Sequence, residues 1–78
     1  IRKAALFLLG AECQMLVGRN CRERRVQLAM SQVELSERSG VAASYLSRIE
    51  NGRGNPTLEL LDSIAGALGC HVVDLFRE

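Results

Sequence analysis

Tryptophan is absent from this chain, and its aromatics stop at Phe7, Tyr45 and Phe76. With so few large rings, a core must be built from Leu, Val, Ile, Ala and Met. Proline occurs once, at Pro56, so little interrupts helices. The three cysteines, Cys13, Cys21 and Cys70, are odd in number and widely spaced. No CxxC pair or Cys/His ligand spacing occurs, which excludes a disulfide framework and a zinc module. Reduced, packed thiols in a cytoplasmic protein are expected. His71, the single histidine, directly follows Cys70. Two adjacent residues do not make a metal site, so a helix-start or surface role is expected, with no metal and no cofactor. There is no nucleophile–base pair, paired acid cluster or phosphate loop, so an enzyme is not expected.

Long apolar runs are missing too. The longest, Ala4-Ala5-Leu6-Phe7-Leu8-Leu9, is far too short to span a bilayer, and no membrane role is expected. Arg2 and Lys3 ahead of it give a faint likeness to a signal peptide. No small-residue cleavage site follows, which argues against that reading. The first residue is Ile1, and a trimmed N-terminus is expected. At 78 residues the chain is one small domain, in which every helix must contribute apolar surface.

Neither sign of charge dominates: the formal net charge is +1. The distribution is uneven. Arg19, Arg22, Arg24, Arg25, Arg38, Arg48 and Arg53 crowd the middle, against Glu23, Glu34, Glu37 and Glu50. Beyond Gly54 the charges are Glu59, Asp62, Asp74 and Glu78 against Arg77. A basic centre and an acidic tail suit a protein with one anion-facing side.

What is present reads almost entirely as helix. Residues 2–9 form an apolar helix that extends past Gly10. The next helix covers about 15–28, with Val17, Cys21 and Leu28 on one side and arginines on the other. Ser31-Gln32-Val33-Glu34 is a capping box, with Val33 and Leu35 as apolar anchors. Gly40 supplies the left-handed residue that ends this helix. A second short helix over 42–51 buries Tyr45, Leu46 and Ile49 and stops at Gly52. Thr57 caps a helix to about residue 68, with Leu60, Leu61, Ile64, Ala65 and Leu68 facing in. Gly69 stops it, and Val72, Leu75 and Phe76 close the domain on a last short helix. The helix pair over 31–52, joined by a tight glycine turn, can hold its second helix out as a probe for the DNA major groove.

Arg25, Ser31-Gln32, Leu35, Gly40-Val41, Tyr45-Leu46-Ser47, Ile49-Glu50, Gly52, Asn55-Pro56, Ala65, Leu68-Gly69 and Asp74-Leu75-Phe76 occur in order across 17–76. On these residues the chain resembles the phage-repressor-like helix-turn-helix regulators of the lambda repressor and Cro type (XRE family). The resemblance implies an all-α, compact five-helix DNA-binding domain over 17–78. Residues 1–16 then form an extra apolar, helical segment, for dimerisation or for covering the core.

The resemblance assigns 42–51 as the recognition helix, with Ala42, Ala43, Ser44, Ser47 and Arg48 towards base edges. Arg48 suits a bidentate pair to guanine O6 and N7. Gln32 is implied as a phosphate contact that braces the recognition helix. Asn51, Arg53 and Asn55, with Arg19 and Arg22, are expected as further phosphate contacts, which set affinity and not sequence. Arg25 and Glu50 are implied as a partly buried structural ion pair. The chain departs from the family at Ala42, where Ser or Thr usually caps, at Arg24, often apolar, and at Ser36, usually alanine.

The function implied is a transcriptional regulator that binds a palindromic double-stranded DNA operator as a homodimer. The dimer surface is expected on Val72, Val73, Leu75 and Phe76, or on Leu6, Phe7 and Leu9. The alternative is an antitoxin that binds a toxin partner and autoregulates its promoter.

Overall fold

Helix α1 (Ala11–Gln27) exposes Arg19 and Arg22 on its outer side and buries Cys13, Val17, Gly18 and Cys21. The computed structural model describes residues 10–78, and the helix expected over 2–9 lies outside them. Gly10 precedes α1 without a side-chain cap. Because α1 begins at Ala11, the boundary expected after residue 16 falls within this helix. Cys13, at 5% exposure, already belongs to the core.

The end of α1 corrects one expectation. Leu28 is 52% exposed. The helix stops at Gln27, and Ala29 turns the chain with φ 54°. The Ala29 N–H donates to the Val26 carbonyl and the Met30 N–H to the Arg25 carbonyl, the paired bonds of a Schellman turn. This reversal sends Met30, rather than Leu28, into the core.

Helix α2 (Gln32–Ser39) starts on the capping box. The Glu34 N–H donates to Ser31 Oγ at 3.0 Å, and the Ser31 N–H to Glu34 Oε1 at 3.2 Å. Leu35 is fully buried, but Val33 is 61% exposed, against the expectation that both anchor the helix. Residues two apart lie about 200° apart around a helix, so one stripe cannot hold both. Gly40, with φ 77°, ends α2, and its N–H donates to the Ser36 carbonyl.

Helix α3 (Ala43–Glu50) follows after Val41 and Ala42. It buries Leu46 and Ile49, with Tyr45 half-buried against them. A second Schellman turn ends it, with Gly52 at φ 73°. Thr57 Oγ1 accepts the Leu60 N–H at the start of helix α4 (Leu58–Ala67). Leu61, Ile64, Ala65 and Leu68 of this segment are buried, and Leu60 is half-buried. A third Schellman turn, on Gly69, ends α4.

The last element, η1 (Val72–Phe76), is a 3-10 turn and not an α-helix. The His71 N–H donates to Asp74 Oδ2 at 3.0 Å, so His71 marks a helix start. The described residues thus hold four α-helices and one 3-10 helix, with no strand. None of these helices is long and apolar enough to cross a membrane.

Helix α1 packs on α3 and η1, α2 packs on α3 and α4, and α4 packs on η1. Cys21, Leu35, Leu46, Ile64 and Leu75 meet at the centre. Each fully buried Leu or Ile contributes about 1.5–3 kcal/mol. The molecule measures 33 × 20 × 20 Å.

Candidate nucleic-acid interface

The apolar stripe of α3 fixes which face remains outside. With Leu46 and Ile49 buried, Ser44 and Arg48 stand one turn apart in solvent. Ser47 and Ala43 lie beside them, half-buried, and Ala42 is exposed. The face is flat and built of small side chains around one long cation. Ala42 offers no side-chain cap. Its carbonyl accepts the Tyr45 and Leu46 N–H groups, which leaves the earlier N–H groups of the first turn without a side-chain acceptor.

A half-buried polar cluster holds the other end of α3. Arg25 Nε donates to Glu50 Oε2 at 2.7 Å, and Nη2 donates to Glu50 Oε1 at 2.9 Å. The two side chains are 14% and 5% exposed. Arg25 Nη1 donates to the Met30 carbonyl at 2.8 Å, which ties the turn after α1 into the same cluster. Gln32 Nε2 adds a third bond to Glu50, at 3.1 Å to Oε1. The bidentate bond to Glu50 pushes the Arg25 guanidinium still higher than its ordinary pKa. One glutamate therefore joins α1, the start of α2 and the end of α3.

Gly18 completes this seat, and sequence reasoning missed it. A Cβ at Gly18 would overlap the Ile49 carbonyl oxygen and come within 3.1 Å of the Glu50 carbonyl oxygen. Helix α1 thus rests backbone to backbone on the end of α3. The available signal was a lone glycine inside a helical pattern, which usually has a packing reason. Gly54 is a second case: a Cβ there would sit 2.8 Å from Ile49 Cγ1. Asn20 was missed as well. Its Nδ2 donates to the Leu75 and Arg77 carbonyls, each at 2.8 Å, and pins the C-terminal turn to α1.

The remaining expected residues divide in two. Gln32 is half-buried at the start of α2, and Arg53 and Asn55 are exposed on the loop after α3. Asn51 is exposed, but its Nδ2 donates to the Ser47 carbonyl at 2.7 Å. Arg19 and Arg22 stand elsewhere. They line a groove of about 1220 Å³ between α1 and the C-terminal end of α3, with Asn51 and Gly52 on the opposite wall. Arg24 is half-buried, and its charge acts on Asp74 and Cys70. Of the C-terminal residues expected at a dimer surface, Leu75 is fully buried in the core, and Val73 is the most exposed at 56%. The three thiols are all raised by burial, Cys21 to about 12, so they stay protonated near neutral pH.

Residues 22–75 match the sequence profile of the helix-turn-helix family. The chain belongs to that family. The matched segment of this helix-turn-helix protein runs from the second half of α1 to η1. The chain is 41% identical over 64 residues to an immunity repressor protein of Bacillus phage phi105, covering 82% of this chain and 44% of the repressor. It is also 41% identical over 64 residues to the HTH-type transcriptional regulator y4dJ of Sinorhizobium fredii, covering 82% and 83% of the two chains. Among solved structures, the restriction-modification controller protein C.AhdI from Aeromonas hydrophila superposes with a TM-score of 0.78 at 32% identity. That match covers 81% of this chain and 96% of the controller. These relatives place the protein with the repressor-like (XRE) type. The chain spans less than half the length of the phage repressor it matches.

Proposed function

We propose that this protein is a sequence-specific transcriptional regulator that binds a palindromic DNA operator as a homodimer. The observation that carries the reading is the solvent face of α3, with Ser44 and Arg48 outward while Glu50 anchors the opposite end. A helix presented this way enters the major groove by its N-terminal half. Arg48 pairs with guanine O6 and N7, worth about 1–3 kcal/mol of discrimination. Ser44 and Ser47 bond to base edges with little selectivity, and the Ala42 and Ala43 methyls touch thymine.

Gln32, Asn51, Arg53 and Asn55 contact the flanking phosphates. Gln32 has a second amide N–H beyond the one given to Glu50. Arg19 and Arg22, at the far end of α3, contribute to the positive potential around the site. One recognition helix reads about four base pairs, so a two-fold dimer with half-sites about one turn apart supplies the specificity. Relatives bearing the names of repressors and transcriptional regulators support this reading.

The test is selection of binding sites from random duplexes with the wild type and with Arg48→Ala. The expected outcome is an inverted repeat whose preference for one guanine per half-site is lost in the variant. Weakening that is uniform over all positions would make Arg48 a phosphate contact. Failure to enrich any site would overturn the reading as a whole.

A further inference from the structure

We propose that Gly18 and Gly54 are positioning residues that set the tilt of α3 and, through it, which bases Arg48 and Ser44 reach. The proposal rests on the reading of α3 as the recognition helix. Gly18 lies in the interior of α1, where glycine weakens a helix relative to alanine. Gly66 in α4 shows the contrast, since a Cβ there would meet nothing within 4 Å. At Gly18 a Cβ would overlap the Ile49 carbonyl oxygen and stand 3.2 Å from the Glu50 carbonyl carbon. Gly54 approaches the same residue from the following loop. A Cβ there would be 2.8 Å from Ile49 Cγ1 and 3.3 Å from its backbone nitrogen and Cα. Ile49 is thus enclosed between two glycine backbones, and both glycines are buried.

These contacts differ in kind from the ion pair at the same end of α3. Arg25 holds Glu50 through a long side chain, whose torsions can follow a shift of the helix. Gly18 meets main chain, which has no such freedom. A carbon and a carbonyl oxygen stand about 3.3–3.6 Å apart even where a C–H donates, so a side chain at Gly18 parts the two helices by about 1 Å. Helix α1 is the firmer of the two. It is 17 residues long, and Asn20 and Arg25 bond it to the Leu75, Arg77 and Met30 carbonyls. Helix α3 has eight residues, two of them buried, and no side-chain cap. It therefore yields, and pivoting on buried Leu46, one turn before Glu50, it tilts by about 10°. A recognition group must be held to about 0.5 Å. The bidentate reach of Arg48 to a base edge is lost first, while phosphate contacts, which carry no sequence information, persist.

The test uses the full 78-residue chain as Gly18→Ala and Gly54→Ala, each alone and combined with Gly66→Ala. Gly66→Ala fills open space inside α4 and raises stability without touching the seat of α3. Residual dipolar couplings report the direction of α3 against α2 and α4 without DNA. A rotation of α3 by about 10° is expected in each variant that folds, with α2 and α4 fixed relative to one another. An α3 that keeps its wild-type direction, or a rotation confined to α1, would overturn the proposal. Failure of both variants to fold even with Gly66→Ala would leave the glycines a folding role only and overturn it too. Binding is then read on a selected operator and on a random duplex, at a temperature where each variant is folded. Operator affinity is expected to fall about tenfold or more, and random-duplex affinity to stay within about twofold. Adding Gly66→Ala should raise the thermal midpoint and leave operator affinity low. Operator binding that recovers with the midpoint, or equal losses on both duplexes, would refute a positioning role. A wild-type chain that selects no operator would sink the reading of α3 as a DNA reader, while the couplings still decide what sets its direction.

Discussion

Ala29 and Glu50 show how single residues govern this fold in opposite directions. Ala29 is the non-glycine residue with positive φ among the described residues, at 54°. The other two Schellman turns place Gly52 and Gly69 at the equivalent step. An L-residue in this conformation costs about 1–2 kcal/mol. Glycine removes that strain but adds about 0.4–1 kcal/mol of unfolded-state entropy. Ala29→Gly is therefore expected to stabilise the domain by about 0.5–1 kcal/mol, read as a rise in the thermal midpoint. A fall would show that the turn carries no strain. Glu50 is the reverse case, since its carboxylate takes three hydrogen bonds at 5% exposure. Glu50→Ala leaves Arg25 mostly buried without its partner, at a cost of about 3–5 kcal/mol. The double replacement Arg25→Met with Glu50→Leu should cost less than Glu50→Ala alone in denaturant unfolding. Equal or greater loss would mean that the pair contributes net stability beyond avoiding a lone charge.

At the level of elements, local signals in the sequence did most of the work. Ser31 with Glu34, Thr57, Gly40, Gly52 and Gly69 are legible because each acts on residues within one helical turn. Leu28 and Val33 were misplaced because a short helix does not reveal which apolar residue faces in; the partner elements decide. Gly18, Asn20 and Gly54 act across the fold, so their roles needed coordinates. The small outward face of α3 follows from its apolar stripe, but its distance from Arg19 and Arg22 depends on how α1 crosses α3. The pairing of His71 with Asp74 yields a prediction about η1. The His71 N–H, and then Arg77 at 2.8 Å, hold the Asp74 carboxyl below its ordinary pKa. A carboxylate favoured in the folded state stabilises it above the unfolded pKa of about 4, and the contribution is lost as pH falls through the folded value. In an acid titration by NMR, the His71 amide should shift with a midpoint below that of a free aspartate. The Asp74→Asn variant should show no such step, and an identical step in the variant would assign it to another group.

Whole-molecule dimensions bear on how two copies would share an operator. The domain is 33 Å in its longest direction, close to the spacing of about 34–36 Å between recognition helices one DNA turn apart. Two copies can therefore meet directly across a two-fold axis without a long connecting arm. The surface that joins them must be apolar and free of the core. Leu75 fails that condition because it is fully buried. Val73 meets it at 56% exposure. Leu28, 52% exposed, lines a hollow with Ala67, Leu68 and Gly69, next to the turn that leads into η1. A self-complementary contact through the exposed side of η1 would put Val73 close to its own counterpart, where a charge repels itself. Val73→Lys is thus expected to shift sedimentation from dimer to monomer and to weaken binding to the full operator at least tenfold. Because α3 lies elsewhere, binding to an isolated half-site should stay within about twofold, a few tenths of a kcal/mol. An intact dimer in the Val73→Lys chain would remove η1 from the interface, and equal losses on full and half operators would place the defect in the fold rather than in the assembly.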